Sequence, residues 1–194
     1  MRVNGVISPC NRQKLRVPLL LIGEIMLDSL ITSKTRLRLL VKFFINAANQ
    51  GHMRGLAEEF NESTNAIRKE LNNLSKAGYL EKKTIQNRIA YRANTKHPLF
   101  TSLQNIVHKY LGLDTIVSRV LDRMGDVQQV VLTGDYAEGR DTGTIEVTIV
   151  GQSLNETYLD QLAVKVGETI DRRVKFTLLK TPMNNGLVLY QQAD

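Results

Sequence analysis

The sequence predicts an α+β protein built of two units joined by a helical connector. Three observations carry that reading. Between Arg54 and Lys76 apolar residues recur at helical spacing, with a break and a capping serine between two short helices. From Tyr79 to Arg92 the period falls to two on either side of Gln86-Asn87-Arg88, which reads as a β-hairpin. From Val127 onward short apolar strands alternate with a Gly-rich turn and one long helical pattern.

The chain has 194 residues, enough for one large or two small domains. Its charge is unevenly spread. Residues 1–98 hold 17 Lys/Arg against 7 Asp/Glu, whereas residues 99–194 hold 9 against 12. The first half therefore carries the electrostatic footprint of a polyanion binder, and the second does not. The sequence has no Trp and few aromatics, which argues against stacking platforms for single strands. Its single cysteine, Cys10, excludes an internal disulfide and a Cys-based zinc site. His52, His97 and His108 have no ligand-like spacing, so no metal is expected.

Taken in order, residues 1–25 read as a peripheral N-terminal extension. The apolar run Val17–Gly23 superficially resembles the start of a signal peptide. It is broken by Pro18, followed by Glu24 and Asp28, and far shorter than a membrane span. The first domain is placed at 26–98. Its first helix is expected from Ser33 to about Asn49, with Leu37, Leu40, Val41, Phe44 and Ile45 facing inward. Lys34, Arg36, Arg38 and Lys42 are assigned to the outer face, either solvated or touching phosphates. Gln50-Gly51-His52 reads as a link, with His52 packing or capping.

Leu56, Ala57 and Phe60 mark a second helix, ended by Asn61-Glu62. Ser63 is a good N-cap for a third helix over 63–77. There Ile67, Leu71 and Leu74 point inward and leave Thr64, Asn65, Arg68, Lys69 and Asn72 outside. Gly78 supplies the left-handed stop. Two such helices with polar and basic residues on the outer face of the second form a helix-turn-helix, whose second helix reads the major groove. The hairpin over 79–92 would set Lys82, Lys83, Arg88 and Arg92 along a phosphate backbone.

Pro98 closes this unit. Residues 99–125 read as connecting helices, broken near Leu113 by Gly112 and Asp114, that pack on the second domain or form a seam between two copies. In residues 126–194, Val130–Leu132, Thr144–Gly151 and Val174–Leu179 read as strands and Leu154–Asp171 as a helix. The tail Gly186–Tyr190 reads as an edge strand or a disordered end.

Two resemblances add to these readings. The pattern Leu-Ala-x-x-Phe…Ser-x-x-x-Ile-x-x-x-Leu-x-x-Leu-x-x-Ala-Gly-Tyr-Leu resembles the winged helix-turn-helix transcriptional regulators over residues 33–93. The segment Leu132-Thr133-Gly134-Asp135-Tyr136-Ala137-Glu138-Gly139, with Thr144-Ile145-Glu146-Val147, resembles the nucleotidyltransferase signature. Active members hold Mg²⁺ on a nucleotide triphosphate with three carboxylates, because the ions neutralise charge in phosphoryl transfer. In this chain the serine position holds Asp135, the first aspartate position Thr144 and the second Glu146, and Lys175 lies near the third. One well-placed carboxylate cannot assemble a two-metal site. Asp135, Glu138, Asp141 and Glu146 are then either a residual nucleotide or metal site or ordinary turn charges. Joined through Lys96–Phe100, the two segments look like a bacterial family in which a winged helix is fused to a degenerate nucleotidyltransferase-like domain.

That resemblance implies a cytoplasmic transcriptional regulator that binds double-stranded DNA as a homodimer and is not an enzyme. No catalytic residue, cofactor or membrane contact is expected. The nine outward helix and hairpin residues, Thr64, Asn65, Arg68, Lys69, Asn72, Lys82, Lys83, Arg88 and Arg92, are the expected DNA contacts. The rival readings are a nucleotidyl-transferring enzyme guided by its winged helix and a winged helix that docks a protein.

Overall fold

The computed structural model describes residues 31–85 and 87–193, so the expected extension at 1–25 and the turn residue Gln86 lie outside the described residues. The protein is α+β. Helix α1 (Lys34–Phe44) opens the described chain, and Ser33 caps it through a bond from the Arg36 amide at 3.2 Å. The helix is shorter than the sequence suggested. Asn46 ends it: its side-chain oxygen takes the Ala48 amide at 3.0 Å, a local bond that competes with helix continuation.

Strand β1 (Gln50–His52) follows, where sequence reasoning saw only a link. It pairs antiparallel with β3 (Arg88–Ala93), Gln50 opposite Arg92 and His52 opposite Ala90. His52 adds a ring-nitrogen bond to the Ile89 carbonyl at 2.9 Å. Three residues without apolar alternation carry no strand signal of their own; the pairing partner makes the strand.

Helices α2 (Met53–Phe60) and α3 (Thr64–Lys76) are separated by Asn61, which takes the left-handed conformation at φ 53°. The Ser63 hydroxyl accepts from the Ala66 amide at 3.2 Å, the predicted cap. Gly78, at φ 83°, follows the end of α3 as the expected left-handed stop. Strand β2 (Leu80–Ile85) then pairs with β3, Ile85 opposite Arg88. Arg88 therefore belongs to the strand rather than to the expected turn. The three-stranded sheet has the order β1-β3-β2.

Helices α4 (Phe100–Tyr110) and α5 (Leu113–Arg123) meet at Gly112, the predicted break. The rest is a four-stranded sheet of order β6-β5-β4-β7, made of β4 (Gln129–Thr133), β5 (Thr144–Val150), β6 (Arg173–Leu179) and β7 (Leu187–Gln191). Only β5 and β6 run parallel, joined by α7 (Leu159–Ile170) after a single 3₁₀ turn. The tail is an edge strand, pairing Leu187 with Leu132. The short helix α6 (Gly134–Ala137) leads from β4 into the loop before β5.

One apolar core runs through both halves, from Leu39 and Phe43 of α1 to Val147 of β5 and Val166 of α7. The two units meet where the 137–139 turn lies on α1. Asn46 and Asn49 both donate to the Ala137 carbonyl at 3.4 Å. Gly139 lies so close that a Cβ there would come within 2.6 Å of the Lys42 Cα and carbonyl oxygen. None of the described helices is long and apolar enough to cross a membrane.

Candidate nucleic-acid interface

Helix α3 is split cleanly into two faces. Ile67 and Leu71 are fully buried and Leu74 nearly so, whereas Thr64, Asn65, Arg68, Lys69 and Asn72 are all exposed. The apolar stripe at i, i+4, i+7 fixes the rotation of the helix on its core, and this rotation alone presents the five polar residues together. Arg68 donates to the Asn65 side-chain oxygen at 3.0 Å, one turn apart. The guanidinium is thus held in line with the amide on the outer face.

A fourth side chain of α3 points the other way. Glu70 is buried, accepts from Ser33 Oγ at 3.0 Å and pairs with Arg36 Nε at 2.8 Å. It ties α3 to the start of α1. The remaining α1 cations do the same for α2 and the turn. Lys42 is buried and its Nζ lies 3.0 Å from both oxygens of Glu59. Arg38 donates to the Phe60 carbonyl at 2.8 Å, sits 3.6 Å from Glu62 and covers the Phe60 ring. The outer-face assignment is therefore corrected for Lys42, which is buried; Arg36 and Arg38 stay on the outer side but are each paired to a carboxylate of a neighbouring element. Helical spacing shows which face is apolar but not that a carboxylate from another helix waits beside a cation.

The hairpin cations divide by strand register. Lys83 opposes Ala90, Glu81 opposes Arg92 and Ile85 opposes Arg88, so Lys83, Arg88 and Arg92 share one face of the sheet. Lys82 opposes Tyr91 on the other face, and its ammonium lies 5.7 Å from the centre of that ring. Arg92 is not free, because Glu81 takes its Nε at 3.0 Å and its Nη2 at 2.7 Å. Tyr91 lies between hairpin and helix. Burial pushes its phenol pKa up, and the nearby Arg68 charge pulls it partly back.

In the second unit the four acidic residues singled out by the nucleotidyltransferase resemblance are each taken. Arg140 binds both Asp135, whose Oδ1 accepts Nε at 3.0 Å, and Glu138. That pairing holds the Asp135 carboxyl below its ordinary pKa. Asp141 accepts from the buried Tyr136 hydroxyl, and Glu146 faces Lys175 at 3.6 Å. The Glu146 carboxylate also closes over Gly134, where a Cβ would collide with its oxygen. Among the described residues no group of three or more His, Cys, Asp or Glu is placed to hold a metal ion.

No protein-family model matches the chain, and no curated protein matches it. Among solved structures, the crystal structure of the AntR antimony-specific transcriptional repressor matches at 17% sequence identity over 59% of this chain and 96% of its own, with a TM-score of 0.31. A superposition that loose carries neither a fold assignment nor a function.

Proposed function

We propose that residues 26–98 form a winged helix-turn-helix domain, and that the chain is a transcriptional regulator binding specific double-stranded DNA. One observation carries the reading. Helix α3 buries its three-residue apolar stripe and offers Thr64, Asn65, Arg68, Lys69 and Asn72 outward, beside a hairpin bearing Lys83 and Arg88. An exposed helix of this kind fits the major groove, with Arg68 suited to guanine and Asn65 to adenine. Lys69, Lys83 and Arg88 would neutralise phosphates, with Lys82 on the Tyr91 face of the hairpin and Arg92 held by Glu81 as secondary contacts.

Residues 99–125 connect this domain to a degenerate nucleotidyltransferase-like domain at 126–194. Salt bridges across Asp135, Glu138 and Glu146 support a non-catalytic role, since carboxylates already neutralised by Arg140 and Lys175 are poor ligands for Mg²⁺. A homodimer is the expected DNA-binding form, because two copies double the length of sequence read.

The test is selection of genomic duplex fragments by the native chain and by an Arg68→Ala/Lys69→Ala variant. The native chain should enrich discrete fragments, and the variant should lose that enrichment while staying folded. Equal enrichment by both proteins, or none by either, would overturn the assignment of α3. Mg²⁺-dependent nucleotide transfer abolished by Glu146→Ala would restore the enzyme reading.

A further inference from the structure

A cleft of about 580 Å³ opens between the two units. One wall is α1 together with the end of α2 and the Asn61 turn; the other is Tyr110 and the loop 139–142. Its volume falls in the range that small organic ligands occupy. Leu37, Val41 and Phe60 give it an apolar floor. The charged side chains at its edge are Lys34, Arg38, Arg140, Glu59 and Asp141. Both carboxylates are already committed, Glu59 to Lys42 at 3.0 Å and Asp141 to the Tyr136 hydroxyl, with Arg172 at 4.0 Å. Arg140 and Arg38 are paired as described above. Lys34 is exposed and makes no ion pair among the described residues. The mouth therefore carries one uncompensated positive charge above an apolar floor.

We infer that this cleft binds a small amphipathic organic anion, its single acidic head on Lys34 and its apolar body against Leu37, Val41 and Phe60. Such a ligand would touch both units at once. Asn61, in the cleft wall, is the left-handed residue that sets the direction of α3, and Arg38 holds the Phe60 carbonyl just before it. Occupancy would thus bias the placement of α3 on α1. Ligand binding is independent of the DNA assignment; only this coupling rests on it.

The probes are 1-anilinonaphthalene-8-sulfonate, read by fluorescence on the full chain, with decanoate and its neutral counterpart decanol as competitors. Saturable one-to-one binding is expected, displaced by decanoate and at least tenfold less well by decanol. Lys34→Glu should weaken probe binding tenfold or more, and Thr142→Trp, on the exposed loop, should block it, with both variants melting as the native chain does. Non-saturable binding, or affinity unchanged in both variants, overturns the proposal. So does a native chain that binds no probe while a chain lacking residues 1–25 does, which would give the cleft to the N-terminal segment. Ligand binding without any change in DNA affinity would remove the coupling and leave the site.

Discussion

Replacing Gly139 by alanine should separate the two units' packing from ordinary backbone strain. Gly139 has φ 73°, where an L side chain is disfavoured by roughly 1–2 kcal/mol. The new methyl would also lie 2.6 Å from the Lys42 Cα and carbonyl, rigid backbone that cannot turn aside. Overpacking of that kind typically costs about 1–3 kcal/mol. Gly143 provides the control. It has φ 80° in the same loop, yet a Cβ added there would meet nothing within 4 Å, so Gly143→Ala meets only the backbone penalty. Urea unfolding of the full chain should place Gly139→Ala below Gly143→Ala by roughly 1–3 kcal/mol, the overpacking cost alone. Equal losses in the two variants would refute the contact between the loop and α1, and with it the two-sided cleft.

Glu59→Ala should destabilise by about 3 kcal/mol, because it leaves Lys42 buried without its carboxylate, whereas Lys42→Met/Glu59→Leu together should cost far less; thermal melts distinguish them. The buried Tyr136 phenol is pushed well above its ordinary pKa near 10, first by burial and then by its bond to Asp141. Below pH 10 folded and unfolded chains both keep that proton, so it adds no slope. Above it the unfolded chain loses the proton first, and stability should fall with rising pH. Tyr136→Phe should flatten that alkaline limb in denaturation curves measured from pH 9 upward. Glu81→Gln should release Arg92 from its bidentate partner, tightening duplex binding and adding about one unit to the slope of log affinity against log salt.

Much of this architecture was legible because one signal dominated each stretch. Ser63, Ile67, Leu71, Leu74 and Gly78 specify start, rotation and end of α3 without reference to anything distant. The break at Gly112 and the apolar runs of the second sheet's central strands were equally local. What stayed hidden depended on partners far away in sequence. Strand β1 exists only because β3 returns beside it, with Gln50 opposite Arg92. Lys42 sits on α1 where spacing alone would put it near the surface; the turn at Gly139 covers its backbone and Glu59 neutralises its ammonium. Leu39 and Phe43 lie off the predicted stripe yet are fully buried, on the side of α1 where Arg36 meets Glu70 of α3. The cleft had no sequence signal, since its walls come from segments far apart in the chain.

The placement of the acidic residues gives the charge of the first unit its direction. Residues 31–98 contain 13 Lys/Arg and 5 Asp/Glu. Four of those five acids are spent on Arg36, Arg38, Lys42 and Arg92, leaving Glu58 as the exception. Three of the four ties lie along α1, away from the exposed face of α3. Arg68, Lys69, Lys83 and Arg88 consequently face solvent with no carboxylate paired to them among the described residues, so their positive charge is left uncompensated on α3 and the hairpin. If Lys69, Lys83 and Arg88 neutralise three phosphates while Arg68 reads a base, log affinity should fall with log salt at a slope near about −2.7 per protomer, a loss on the order of 40-fold between 50 and 200 mM salt. If the unit's excess charge acted as a whole instead, about eight phosphates would give a slope near −7. A measured slope near about −7 would mean that contacts extend well beyond the α3 face and the hairpin; one near zero would mean that this surface meets a neutral partner rather than a nucleic acid.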